Sequence, residues 1–295
     1  MLGAIEAGGT KFVCAVGNED GTIIERIKID TLTPEQTMPE VIHFFKKYDV
    51  KSLGIGSFGP VDIDKNSPTY GNITSTPKPG WTNYPFLKTM QEALQIPIEF
   101  NTDVNVAALG EMLKGAAQGL DSCLYITVGT GVGAGAVVQG NLLQGLSHPE
   151  MGHVLVKRHP DDTFEGSCPY HKDCLEGMAA GPAIEKRWGQ KGHELQDKQE
   201  VWEIEAYYLA QALMQYILTI SPKKIIMGGG VMKQAQIFPL VRKQVQELLN
   251  GYVPLPQITE HIEVYIVPPS LGDDAGITGA LMLAKRALET RKATN

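Results

Sequence analysis

Residues 2–17 read LGAIEAGGTKFVCAVG, and residues 123–138 read CLYITVGTGVGAGAVV. Each is a short apolar run, a glycine-threonine turn and a second apolar run; Gly9-Thr10 returns as Gly129-Thr130. Apolar runs this short, bounded by glycine, read as strands. Each stretch is therefore a hairpin whose tip is a glycine loop. An opening unit that occurs twice implies two similar α/β domains facing across a cleft. The expected lobes are residues 1–115, joined by a C-terminal helix over 275–295, and residues 116–274.

Outward from these hairpins, NEDG turns into the strand TIIERIKI, and MPEVIHFFKKY has helical spacing. KSLGIGSFG is a buried strand entering the Gly/Pro-rich loop GPVDIDKNSPTYGNITSTPKPGW. IPIEFN is a strand leading into the Ala-rich helix TDVNVAALGEMLKGAAQG. The second half adds the helical stretch KQEVWEIEAYYLAQALMQYILTI, a strand KKIIM running into GGGV, a last strand IEVYIVPP and the terminal helix AGITGALMLAKRALETR.

A chain of 295 residues suggests two domains or one large one, and 43% hydrophobic content is an ordinary globular mix that can bury a core. The net charge of −7 gives a nucleic-acid partner no electrostatic support. No apolar run is long enough to span a bilayer. The start lacks a basic segment and a cleavage site, so a cytoplasmic location is expected, with no membrane partner. Cys14 and Cys123 lie in apolar runs and read as buried thiols. In a reducing compartment Cys168 and Cys174 read as metal ligands rather than a disulfide.

The glycines of EAGGTK and VGTGVGAG stand at strand ends, where exposed N–H groups bind anions. Thr10 and Thr130 add hydroxyls, and Lys11 adds a positive charge. Neither loop is a Walker motif, and neither is a GxGxxG turn opening a helix. One such loop alone is as well explained by a plain hairpin; the matched pair with GGGV favours a nucleotide.

Cys168-x2-His171-x2-Cys174 has the spacing of a zinc knuckle, and His153 supplies a fourth ligand. Four protein ligands leave no open position, so the site is structural. HPEMGH is not the HExxH helix: its histidines are five apart, and Pro149 and Gly152 oppose a helix. The ββα pattern and basic helix of a nucleic-acid finger are missing. His148, His159 and Asp161 read as solvated loop. Trp188, Trp202, Tyr207 and Tyr208 read as core or subunit interface. Asp103, opening a helix, reads on its own as an N-cap, and Pro182 as a first-turn helix proline.

GAIEAGGTKF resembles the phosphate signature of the ROK family of sugar kinases, within the actin-like, hexokinase-like ATPases. GIGSFGPVD, TDVNVAALGE, TVGTGVGAG, HPEMGH, CPYHKDCLEG, GGGVM and LGDDAGITGA follow in the order that family shows. The branch it resembles most is the bacterial ROK fructokinases. The resemblance implies a two-lobed hexokinase/ribonuclease H-like fold with a small zinc-binding loop, and Asp103 as the base that takes a proton from a sugar hydroxyl. It implies sugar contacts from Gly59, Glu150, His153 and Glu176, and, near the catalytic position, Asn101. It implies nucleotide contacts from Gly9, Thr10, Lys11, Thr130, Gly131, Pro182, Gly229, Gly230 and Lys233. ATP with Mg²⁺, a structural Zn²⁺ and a homodimer follow from it, as does closure of the lobes over the sugar.

Two departures stand out. Many family members carry Asn before the catalytic Asp, where this chain has Thr102, and many carry Asp where it has Glu6. The zinc set replaces one family cysteine by His171, as the fructokinase branch does. The activity implied is ATP-dependent phosphorylation of a hexose, D-fructose to D-fructose 6-phosphate. Glucose, mannose or another hexose are the alternatives. A non-catalytic, sugar-responsive regulator is disfavoured by Asp103 and by a chain that starts on its first strand.

Overall fold

The computed structural model describes residues 1–294. The chain forms two compact units. Unit 1 comprises Met1–Gly119, Asn141–Pro149 and the segment from Asp273; unit 2 comprises Leu120–Gly140 and Glu150–Gly272. Among the described residues no helix is long and apolar enough to cross a membrane.

Unit 1 opens with β1 (Leu2–Ala7), β2 (Lys11–Gly17) and β3 (Ile23–Asp30), an antiparallel meander. β4 (Ser52–Ser57) and β5 (Ile98–Thr102) join in parallel on the other side of β1, giving the order β3-β2-β1-β4-β5. All of β4 is buried, as a strand covered on both faces must be. α1 (Pro34–Phe45) starts ahead of the expected MPEVIHFF because Pro34, with its φ already helical, opens it. α2 (Phe86–Leu94) occupies a stretch the sequence reading left unassigned, and it buries Phe86, Leu87 and Met90. The core gathers Ile5, Phe12, Phe44, Leu53, Ile55, Trp81, Phe86 and Phe100.

α3 (Asp103–Lys114) and the terminal helix Ala275–Thr294 cross backbone to backbone. A Cβ on Gly279 would lie 1.8 Å from the Val106 carbonyl oxygen, and one on Gly110 would lie 2.4 Å from that of Ala275. Only glycine permits that approach, which fixes both helices under the sheet end where Asp103 emerges.

In unit 2, β6 (Cys123–Val128) and β7 (Val132–Val138) form the second hairpin, and the strand Ile225–Gly228 runs parallel to β6. The expected last strand, IEVYIVPP, is helical over its first half. Ile262–Tyr265 makes a helical turn, and only Ile266 and Val267 pair, with Ile225 and Ile226. The Arg242 guanidinium donates to the carbonyls of Glu263 and Ile266, and the Tyr265 hydroxyl to that of Pro222, which hold the turn. α4 (Leu175–Ala179), α5 (Gly181–Trp188) and α6 (Gln199–Thr219) cover the unit. Trp202 and Tyr208 are fully buried on α6, as core aromatics. Cys14 and Cys123 are buried free thiols.

Candidate active site

The register of unit 1 sets Ala7, Ser57 and Thr102 side by side at the ends of β1, β4 and β5. The Gly8–Thr10 turn, the Phe58–Pro60 segment and Asp103 therefore leave the sheet at one edge, where α/β sheets carry ligands. Within the turn, Gly8 N–H donates to the Lys11 carbonyl at 3.0 Å. Phe58 N–H donates to the Ala7 carbonyl at 2.8 Å, tying the second segment to the first.

The helix cap here is Thr102, not Asp103. Thr102 Oγ1 accepts from Asn105 N–H at 3.2 Å, and Asp103 takes the first helical position, its Oδ1 accepting from Val104 N–H at 2.9 Å. Thr102 satisfies the orphan donor, so Asp103 is not spent as a cap. Asn101 is buried, and its Oδ1 accepts from Thr102 N–H and from Asn105 Nδ2. Asn101 thus has a structural task at the strand-to-helix junction.

Glu6, beneath the turn, is packed against the start of the terminal helix; a Cβ on Gly276 would lie 2.5 Å from its carboxyl carbon. Burial, then the charges of Asp103, Asp274 and Asp273, push its carboxyl up to about 7, while Lys11 pulls the other way. Glu6 thus senses Asp103 on one side and the turn's Lys11 on the other. Gly59 lies beside His148: a Cβ there would be 3.6 Å from the imidazole Cε1, and His148 Nε2 accepts from Val61 N–H at 3.1 Å. The solvated-loop reading fails for His148, which is buried and braces the FGPVD segment. The long-range bond that buries it leaves no local pattern. Asp161 is exposed, as expected.

Unit 2 repeats the plan. Gly129 N–H donates to the Gly131 carbonyl, and Gly181 N–H to the Gly129 carbonyl at 2.7 Å. Gly229 has φ +95, and a Cβ on it would sit 2.4 Å from the Val128 carbonyl oxygen, so GGG packs directly on the turn. A cavity of about 470 Å³ opens here, lined among others by Gly129, Thr130, Pro182, Glu185, Trp202 and Gly230. Its size suits a nucleoside. Pro182 is both a first-turn helix proline and a wall of the cavity. Lys233 is exposed on a short 3-10 turn, and Gln234 lines the cavity instead. Lys191 and His193 also line it; no motif marked them, because they reach it from an irregular connection.

Glu176 lies in the first turn of α4, and its Oε2 accepts from Val132 N–H at 3.0 Å. A Cβ on Gly131 would approach that oxygen to 2.7 Å, so the carboxylate lies over the second glycine turn. Glu150 is exposed, and its carbonyl accepts from His153 N–H.

The four expected metal ligands come together. Their ligand atoms, from His153, Cys168, His171 and Cys174, all lie within 4.8 Å of one another. His153 Nδ1 is 3.4 Å from Cys174 Sγ and 3.8 Å from Cys168 Sγ, and His171 Nδ1 is 3.8 Å from Cys168 Sγ. A tetrahedral zinc with ordinary bond lengths separates N and S ligands by about 3.5 Å, so the set fits the ion. Cys168 and Lys172 exchange backbone bonds at 3.2 and 3.0 Å, with Lys172 at φ +58, which closes the knuckle. His153 is held by a 3-10 turn, Met151–His153, whose Gly152 lies against Val132: a Cβ would be 1.7 Å from that carbonyl oxygen.

Known proteins resemble this chain in sequence and fold. The profile of the ROK family matches residues 2–287. A Bacillus subtilis (strain 168) protein provisionally named fructokinase is 60% identical over 294 residues, covering 100% of this chain and 98% of that protein. The fructokinase of Pediococcus pentosaceus is 47% identical, covering 98% and 99%. The crystal structure of a ROK family glucokinase from Streptomyces griseus, in complex with glucose and AMPPNP, superposes with a TM-score of 0.75 at 25% identity, covering 97% and 99%. With its ordered glycine turns, its twin hairpins and a family match over nearly its whole length, this chain belongs to the ROK family.

Proposed function

We propose that this protein is an ATP-dependent fructokinase, transferring the terminal phosphoryl group of ATP to D-fructose to give D-fructose 6-phosphate and ADP. The observation that carries the reading is the full-length likeness, at 60% and 47% identity, to proteins named fructokinase.

In the proposed mechanism, Asp103 accepts the proton of the sugar's primary hydroxyl. That oxygen forms a bond to the terminal phosphorus as the bond to the ADP oxygen breaks. A positioned base of this kind contributes about 10²–10⁴-fold. The N–H groups and hydroxyl of Gly9-Thr10, with Lys11, hold the phosphates, and the cavity at Thr130, Pro182 and Gly230 holds the adenosine. Gly59, Glu150, His153 and Glu176 bind sugar hydroxyls. Burial, with the charges of Asp103, Asp274 and Asp273 added to it, keeps a proton on Glu6 near neutrality. Asp103, Asp273 and Asp274 are the carboxylates suited to Mg²⁺, which when bound would neutralise phosphate charge. The His153, Cys168, His171 and Cys174 set would hold zinc, with Nδ1 of His153 facing the two sulfurs, which would leave Nε2 for the substrate. The family's homodimer belongs to the same proposal.

The test is a panel of D-fructose, D-glucose, D-mannose and N-acetylmannosamine with ATP and Mg²⁺, read as kcat/KM from coupled ADP release. Fructose is expected to lead by at least about tenfold, the discrimination a few well-placed contacts supply. A higher kcat/KM for another sugar removes the fructose assignment, and no turnover of any hexose removes the kinase.

A further inference from the structure

Lys78 lies on the loop between β4 and α2, outside the glycine motifs. A Cβ on Gly9 would lie 3.4 Å from Lys78 Cε and 4.0 Å from its Nζ. The ammonium is therefore stationed over the first glycine turn. The side chain is half-buried, and among the described residues its Nζ meets no carboxylate or carbonyl.

The loop is built to keep it there. Pro77 and Pro79 flank the lysine and limit the backbone. Lys78 N–H donates to Thr76 Oγ1 at 3.3 Å, and its carbonyl accepts from Trp81 N–H at 3.2 Å. Trp81 is fully buried, with its indole N–H donating to the Leu32 carbonyl at 2.7 Å. Its ring packs on Phe12 at 5.4 Å between centroids, and Phe12 is the second residue of the strand that leaves the turn. The loop and the turn thus share one aromatic anchor.

A half-buried ammonium held over backbone donors without a counter-charge is half of an ion pair. Asp103, Asp273 and Asp274 bear on the Glu6 carboxyl, and Lys78 is bonded to none of the four. An anion seated on the turn would complete the pair. We infer that Lys78 grips the phosphoryl group in transit, binding the terminal phosphate of ATP and stabilising the charge on its oxygens as it passes to the sugar. This rests on the reading of Gly9-Thr10 as a phosphate turn. Arg and Lys clamps on a transferring phosphoryl group act in this way, and removing one such donor costs about 10²–10³-fold in kcat.

The test uses the full-length, zinc-loaded protein and the variants Lys78→Met, Lys78→Arg and Thr10→Val, each checked for native melting. Lys78→Met is expected to lose about 10²-fold in kcat with the sugar KM nearly unchanged. Its affinity for AMPPNP falls by about tenfold while that for ADP holds, and Lys78→Arg recovers part of both losses. Normal kcat and AMPPNP affinity in Lys78→Met overturn the inference. Equal loss of ADP and AMPPNP affinity also overturns it, since the contact then lies on a phosphate that is not transferred. Thr10→Val separates the two readings. Normal nucleotide affinity there removes the phosphate turn itself, whereas a weakened Thr10→Val beside a normal Lys78→Met removes only the lysine.

Discussion

The two glycine turns share a backbone plan and differ in charge. Where unit 1 has Glu6 and Lys11 around Gly9-Thr10, unit 2 has Ile126 and Gly131 around Gly129-Thr130. The side chains that reach over the turns from elsewhere are opposite in sign: Lys78 in unit 1 and Glu176 in unit 2. Behind the first turn lies Glu6, which burial and then the charges of Asp103, Asp274 and Asp273 push up to about 7; beside the second lies a nucleoside-sized cavity. One plan thus serves two tasks. A cation over the turn with carboxylates behind it suits a place where phosphate charge moves, and a turn beside a cavity walled by Pro182, Ile184 and Trp202 suits a place where a base is held.

The sharpest way to break this contrast is Asp103→Asn. If the chemistry belongs to unit 1, kcat falls about 10²–10⁴-fold while AMPPNP affinity, owed largely to unit 2, changes little. Equal turnover in the variant would empty unit 1 of its proposed role. Chelation of zinc addresses the other side. Amide exchange across residues 150–180 is expected to quicken about a thousandfold as the loop loses its metal, with β1, β2 and β4 keeping native rates. Loss of protection throughout both units would show that the metal is not a local fastener.

A smaller effect comes from pH. The Glu6 carboxyl sits at about 7 when folded against an ordinary 4.5. Between those values the folded state holds more protons than the unfolded, so stability falls as pH rises through the window and stays lowered above it. Glu6→Gln removes that slope. In metal-free protein it should match wild type near pH 4 and exceed it at pH 8 by up to about 3 kcal/mol, read as a higher Tm. Parallel stability curves for the two proteins would mean that Glu6 is not held protonated.

The hairpins were legible because a glycine-threonine turn between apolar runs has one local solution, and it occurs twice. The metal set was legible because three of its ligands are evenly spaced. What escaped the sequence is long-range. The Thr102 cap displaced Asp103 by one position, since either residue type serves and only the end of β5 decides. His148 bonds to Val61 N–H, Glu176 to Val132 N–H, and Lys78 stands over Gly9, all across long stretches of chain with no periodicity to betray them. IEVYIVPP shows the reverse failure: its alternation fits a strand, but bonds from Arg242 and Tyr265 hold its first half in a helical turn.

The division of labour between the turns is tested most directly by amide exchange with adenosine and with AMPPNP plus Mg²⁺. Adenosine should slow exchange around Thr130, Gly181–His193 and Gly230–Gln234 and leave Gly8–Lys11 at its free rate, and AMPPNP with Mg²⁺ should add protection at Gly8–Lys11. Protection of Gly8–Lys11 by adenosine alone, or none there with AMPPNP, would contradict the account.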